Sequence, residues 1–172
     1  MDALVVYESM FGNTSRIANA IGQSLARHGL AVTVAGIDDV EDRAIPELLV
    51  VGGPTHAHGL STTSTRATAV ADRHNTFDEP TMGTGLRAWL SSMPDGQARA
   101  AAAFDTRIGG APRWATGSAA RRIGDLLEEH GYRLVLDPES FLVTRHNEMV
   151  DGEPERAGVW AEGLAGALRA IR

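Results

Sequence analysis

VVYESMFGNT, Val5 to Thr14, is the stretch on which the reading of this chain turns. Its first residues belong to a short apolar run, Ala3 to Tyr7 (ALVVY), and its last opens a helical pattern to about His28, with Ile17, Ile21 and Leu25 at i, i+4 and i+8. Strand, small-residue loop and helix therefore follow one another directly. The loop, Glu8-Ser9-Met10-Phe11-Gly12-Asn13-Thr14, has hydroxyls and a glycine just before the helix. It has no P-loop lysine, and the chain contains no lysine at all, which excludes a Walker-type nucleotide site. It offers backbone N–H groups, small polar side chains and the positive end of a helix dipole, equivalent to about half a charge. That set suits a terminal phosphate monoester. Asn13 or Thr14 as a plain N-cap, with a typical gain of about 1 kcal/mol, accounts for the helix start but leaves Ser9 and Gly12 unexplained.

Outward from this unit the pattern repeats. Gly29 stops the first helix, Leu30 to Ile37 (LAVTVAGI) reads as a second strand, and Leu48 to Gly52 (LLVVG) as a third. Gly53 to Pro80 is a long Ser/Thr/His/Asp-rich excursion with one short helix, Ser64 to Arg73, and long excursions are often functional. A helix at Gly85 to Met93 returns to a fourth strand, Arg99 to Phe104, and a loop from Asp105 to Gly117 leads to a helix at Ser118 to His130, its apolar face formed by Ile123, Leu126 and Leu127. Tyr132 to Leu136 and Ser140 to Val143 form a broken fifth strand. Glu155 to Ile171 is the last helix, with Val159, Trp160, Leu164 and Leu168 expected inside. Apolar strands alternating with helices imply an α/β fold with a parallel sheet covered on both faces. Right-handed crossovers make 2-1-3-4-5 the simplest order, with a ligand expected at the carboxyl ends of the strands where that order reverses. The loops after strands one, three and four are the ones to examine.

The 172 residues, 43% of them hydrophobic, fit one domain spanning residues 1–172, which buries roughly 70% of its unfolded surface. Without cysteine there are no disulfides, thiolate metal sites or cysteine nucleophiles. A net charge of -6 repels polyanions at long range, so nucleic acid is excluded as a partner. The first strand begins at about Ala3, before a signal peptide fits, and no apolar run approaches the roughly 20 residues of a membrane span. The expectation is a soluble cytoplasmic protein. His56 and His58 form an His-x-His pair with no evident third metal ligand nearby. Gly83-Thr84-Gly85 follows no strand, so it lacks the context of a dinucleotide fingerprint.

Val5 to Thr14 resembles the flavodoxin signature: an apolar pair, an aromatic residue, a hydroxyl two places on, then a small residue and a threonine. In that family the loop wraps the phosphate of flavin mononucleotide (FMN), so the resemblance assigns Ser9, Met10, Phe11, Gly12, Asn13 and Thr14 to that phosphate. The second loop, GGPTHAHG from Gly52 to Gly59, is similar to the Gly-x-Pro-Thr loop that flavodoxins and flavodoxin-like quinone reductases place beside the isoalloxazine ring. It contributes Pro54, Thr55, His56, Ala57, His58 and Gly59 as candidates. The third loop departs from the family. Flavodoxins carry a glycine-rich, acidic, tyrosine-containing segment there, whereas this chain has Phe104-Asp105-Thr106-Arg107-Ile108-Gly109-Gly110, then Pro112, Arg113 and Trp114. Phe104, Asp105, Thr106 and Arg107 are its candidate contacts, and Trp114 or a backbone segment is left to stack on the ring.

The resemblance implies a non-covalent FMN that shuttles one or two electrons, with the protein supplying binding, orientation and tuning. Three functions stay open: a carrier between redox proteins, an FMN-dependent NAD(P)H:quinone-type reductase acting on a small acceptor, and a flavin-free binding module. Acidic charge and small size favour the first, and the run Asp38, Asp39, Glu41, Asp42 reads as a docking patch for a basic redox partner or as a solvated loop. The non-acidic third loop favours the second, since an arginine near the ring stabilises negative charge there, whereas Arg107 merely paired with Asp105 in solvent has little effect. Its departure from the family keeps the third open.

Overall fold

The apolar runs emerge as strands because each is flanked by glycine or turn residues and the central ones, residues 3–6, 48–53 and 100–106, are buried on both faces. The computed structural model describes residues 1–40, 45–55, 85–110 and 117–171. In chain order these form β1 (Asp2–Tyr7), α1 (Asn13–Arg27), β2 (Ala31–Gly36), a 3-10 turn (Ile37–Asp39), β3 (Leu48–Pro54), α2 (Leu86–Ser91), β4 (Ala100–Ile108), α3 (Ala119–Glu129), β5 (Arg133–Leu134), β6 (Glu139–Val143) and α4 (Glu153–Ala170). The strands form a parallel sheet in the order β2-β1-β3-β4-β5, and β6 also pairs with β4. The expected order is the observed one. The expected helix at Ser64 to Arg73 lies outside the described residues.

Strand side chains alternate between two cores. Ala3, Val5, Leu48, Val50, Ala100, Ala102 and Phe104 join α1 and α4 on one face, through Ile17, Ile21, Leu25, Leu164 and Leu168. Leu4, Val6, Leu49, Val51, Ala101 and Ala103 join α2 and α3 on the other, through Leu86, Leu90, Ile123 and Leu127. On α4 the inward stripe is Ala157, Ala161, Leu164, Ala165 and Leu168. Val159, expected inside, is 67% exposed. It lies two residues from both Ala157 and Ala161, about 200° around the helix from each and so on the outer face.

The broken fifth strand is β5 and β6. Ala100 and Ala101 of β4 face Arg133 and Leu134, and Phe104 to Ile108 face Glu139 to Val143. Between these ladders residues 135–138 lie against only 102 and 103, and Pro138 has no N–H to donate, so the edge strand breaks there. This pairing corrects one expectation. Residues 104–108, read as the end of a strand and a loop, are the second half of β4, because β6 supplies the ladder that keeps them extended.

An aromatic cluster holds that extension in place. Phe104, Phe141 and Trp160 meet edge to face at centroid distances of 6.1–6.4 Å, each such pair worth about 0.5–1.5 kcal/mol beyond its burial. The Arg156 guanidinium lies 4.5 Å from the Phe141 centroid and bonds to Glu139 and Glu153. Burial works against its charge, but these hydrogen bonds and the two carboxylates outweigh it and raise its pKa above the usual arginine value. Gly52 completes the packing: a Cβ there would stand 2.0 Å from Cζ of Phe104, so only glycine leaves room for the ring.

Candidate functional site

At the carboxyl edge of the sheet the ends of β1, β3 and β4 converge. The chain leaves β1 through buried Glu8, Ser9 and Met10 and enters α1 at Gly12, whose φ of 77° is a left-handed conformation that glycine adopts without strain. No side chain caps α1, and no acidic residue occupies its first turn. Asn13 and Thr14, the residues that an N-cap reading would use, are engaged elsewhere. Asn13 Nδ2 donates to the carbonyl of Asn147 (2.7 Å), and the hydroxyls of Thr14 and Thr106 lie 2.8 Å apart. The ties run from α1 to β4 and to the loop after β6, so the end of α1 becomes the floor of a cleft and its dipole points into it.

This cleft has a volume of about 240 Å³. Asn13, Thr14, Thr55, Thr106, Arg107 and Asn147 supply its polar lining, while Met10, Phe11, Pro54, Ile108 and Val143 supply the apolar part. Among the described lining residues none is a carboxylate. In a chain of charge -6, the described lining therefore contributes one guanidinium beside one helix N-terminus.

Two buried acids beside the cleft, Asp105 and Glu8, are engaged by the protein itself. Asp105 is fully buried, and its Oδ2 accepts from Thr55 Oγ1 (2.9 Å), Ser118 Oγ (2.8 Å) and the Ala120 N–H (2.9 Å). Its Oδ1 is buried and has no hydrogen-bond partner among the described residues. Thr55 Oγ1 in turn accepts from the Ala119 N–H, and Ser118 Oγ from the Arg121 N–H, so the start of α3 is saturated. Glu8, 1% exposed, accepts from the Leu86 N–H at the start of α2 through Oε2.

The structure thus sorts the residues singled out from the sequence. Met10, Phe11, Asn13, Thr14, Pro54, Thr55, Thr106 and Arg107 line the cleft. Ser9 and Gly12 are buried in the turn beneath it. Phe104 is packed in the core, and Asp105 holds the start of α3. His56, Ala57, His58 and Gly59 lie outside the described residues, as do Pro112, Arg113, Trp114, Glu41, Asp42 and the first two residues of Gly83-Thr84-Gly85. Asp38 and Asp39 are exposed in the 3-10 turn after β2. Sequence reasoning missed Ile108, Val143 and Asn147. Asn147 has a φ of 59°, and an asparagine in a polar stretch between strand and helix is the one signal that would have found it.

The comparisons bear on family and fold. The Flavodoxin family model matches residues 5–102, more than half of the chain. No match is found among curated proteins. Among solved structures, a flavodoxin from the domain Archaea aligns over 98% of this chain and 99% of its own, with a TM-score of 0.68 and 22% identity. A flavodoxin, WrbA-like protein from Agrobacterium tumefaciens aligns over 99% of both, with 0.65 and 20%. Oxidised Flavodoxin 1 from Bacillus cereus aligns over 96% of this chain and 98% of its own, with 0.65 and 18%. At these identities the likeness to the solved structures is one of fold.

Proposed function

The chain belongs to the flavodoxin family, and from that premise we propose that it binds one FMN non-covalently and transfers electrons through it. The observation that carries this reading is the uncapped N-terminus of α1, which opens on a cleft without a carboxylate among its described residues. A phosphate dianion there meets the first-turn N–H groups, the Asn13 and Thr14 side chains and the favourable end of the dipole. Thr106, tied to Thr14, extends the hydroxyl set toward the sugar-like chain, and Met10, Phe11, Pro54 and Ile108 supply the apolar contact that a ring system needs. When bound, FMN supplies the one- or two-electron chemistry. The chain's own residues bind, orient and set the charge around it.

A second reading, an FMN-dependent NAD(P)H:quinone-type reductase, is favoured by Arg107 lining the cleft where carriers of the family have acidic residues. A carrier serves redox proteins, whereas a reductase serves a small acceptor such as a quinone. NAD(P)H-dependent quinone turnover separates the two.

The phosphate anchor is tested by isothermal titration of the apoprotein, after the visible spectrum of the purified protein has been recorded for bound flavin. FMN is expected to bind at least tenfold more tightly than riboflavin, about 1.4 kcal/mol. Equal affinities overturn the assignment of the α1 loop.

A further inference from the structure

Resting on the FMN reading, we propose that Arg107 is the tuning residue of this site: it stabilises negative charge on the reduced flavin ring and takes no part in holding the phosphate. The register of β4 carries the argument. Gly53 faces Asp105 and Pro54 faces Thr106, so the next position on β4, Arg107, comes level with Thr55. The Thr55 N–H donates to the Thr106 carbonyl (2.9 Å), which keeps the two strand ends together there. On its other side Arg107 faces Leu142 of β6.

Adjacent residues of a strand point to opposite faces. Thr106 reaches Thr14 at the start of α1, which is the phosphate end of the cleft. Arg107 therefore leaves β4 on the side away from α1, beside the Gly-x-Pro-Thr loop, and yet it lines the same cleft. Two neighbouring residues thus divide the site, a hydroxyl toward the phosphate and a guanidinium toward the ring.

Among the described lining residues Arg107 alone carries a formal charge. It is half-buried, so its field is screened less than that of a surface arginine. Asp105, two residues back on the same face, has Oδ2 committed to Thr55, Ser118 and Ala120. Uptake of two electrons and one proton gives the neutral oxidised ring system a net negative charge, and a nearby cation favours that state.

The test uses the FMN-loaded protein and Arg107→Ala, Arg107→Gln and Arg107→Lys at one pH and one ionic strength. Dissociation constants are measured for oxidised FMN, for dithionite-reduced FMN and for riboflavin. In Arg107→Ala, or in Arg107→Gln where the alanine variant does not fold, the constant for reduced FMN is expected to rise at least tenfold more than that for oxidised FMN. For a two-electron couple this lowers the midpoint potential by about 30 mV, which direct redox titration reads independently. Arg107→Lys should keep most of the wild-type ratio. Equal weakening of both redox states overturns the inference, as does a loss confined to FMN with riboflavin unaffected, which would make Arg107 a phosphate contact. A wild-type protein that binds no FMN overturns the reading beneath the inference and the inference with it, whereas FMN binding with an unchanged ratio overturns the inference alone.

Discussion

At the start of α3, Ser118, Thr55 and Asp105 take up the N–H groups of Arg121, Ala119 and Ala120; at the start of α1, on the opposite face of the same sheet edge, no side chain does so. Both helices present the same partial positive charge at their first turn. One receives a buried carboxylate from the chain itself, and the other turns its free end toward a cleft lined by hydroxyls and amides. An unfilled helix end forgoes a cap worth about 1 kcal/mol, because the N-cap position of α1 is held by Gly12 and Asn13 and Thr14 already lie within the helix. Their side chains instead brace the cleft against Asn147 and Thr106. The difference separates a helix end closed by the chain's own side chains from one that opens on the cleft, where the proposed phosphate would sit.

The largest effect should come from breaking the filled end. Asp105→Ala leaves the Thr55 and Ser118 hydroxyls and the Ala120 N–H without their buried acceptor, and loss of an acceptor to several donors should cost on the order of 3 kcal/mol. Denaturant unfolding of the apoprotein measures this; a loss below about 1 kcal/mol would mean that the carboxylate is not what secures α3.

Thr14→Ala probes the open end and should behave in the opposite way. Apoprotein stability should fall by about 1 kcal/mol for the lost Thr14–Thr106 bond, while FMN affinity should fall by roughly 1.5–3 kcal/mol, the value of a hydrogen bond to a charged group. Titration and unfolding of one preparation compare the two. A stability loss with unchanged FMN affinity would reduce Thr14 to a structural brace.

The smallest effect sharpens the contrast by converting one end into the other. Ser15→Asp puts a carboxylate into the first turn of α1, where it should stabilise the apoprotein by about 0.3–1 kcal/mol and weaken FMN binding at the same time. Thermal unfolding with and without FMN reads both signs. If FMN binding survived unchanged, the open end of α1 would not be the phosphate site.

Legibility followed the range of the interactions. The α1 loop could be read because a strand end, a glycine and a helix start lie within one local stretch, and their backbone geometry follows from residue type. The Gly-x-Pro-Thr loop was legible as a motif, but the reason for its glycines was not. Gly52 makes room for the Phe104 ring, and a Cβ at Gly53 would come within 2.8 Å of Leu86 Cδ2, so both serve contacts with residues far along the chain. Asp105 likewise reads as an acidic loop residue until Ser118 and Thr55 are brought around it.

Residue order alone carries the succession of strands and helices, the parallel sheet they imply and the strand–loop–helix turn at Glu8 to Thr14. Each of these rests on periodicity or on the conformational preference of single residues, which short stretches carry alone. The strand conformation of residues 104–108, the departure of Thr106 and Arg107 from β4 on opposite faces, and the place of Asn147 in the lining of the cleft come only with the assembled fold. Those outcomes depend on β6 pairing with the far half of β4 and on Phe141 and Trp160 packing against Phe104. Ladder bonds and ring contacts between segments distant in the chain arise only once the sheet has assembled, so no local pattern records them.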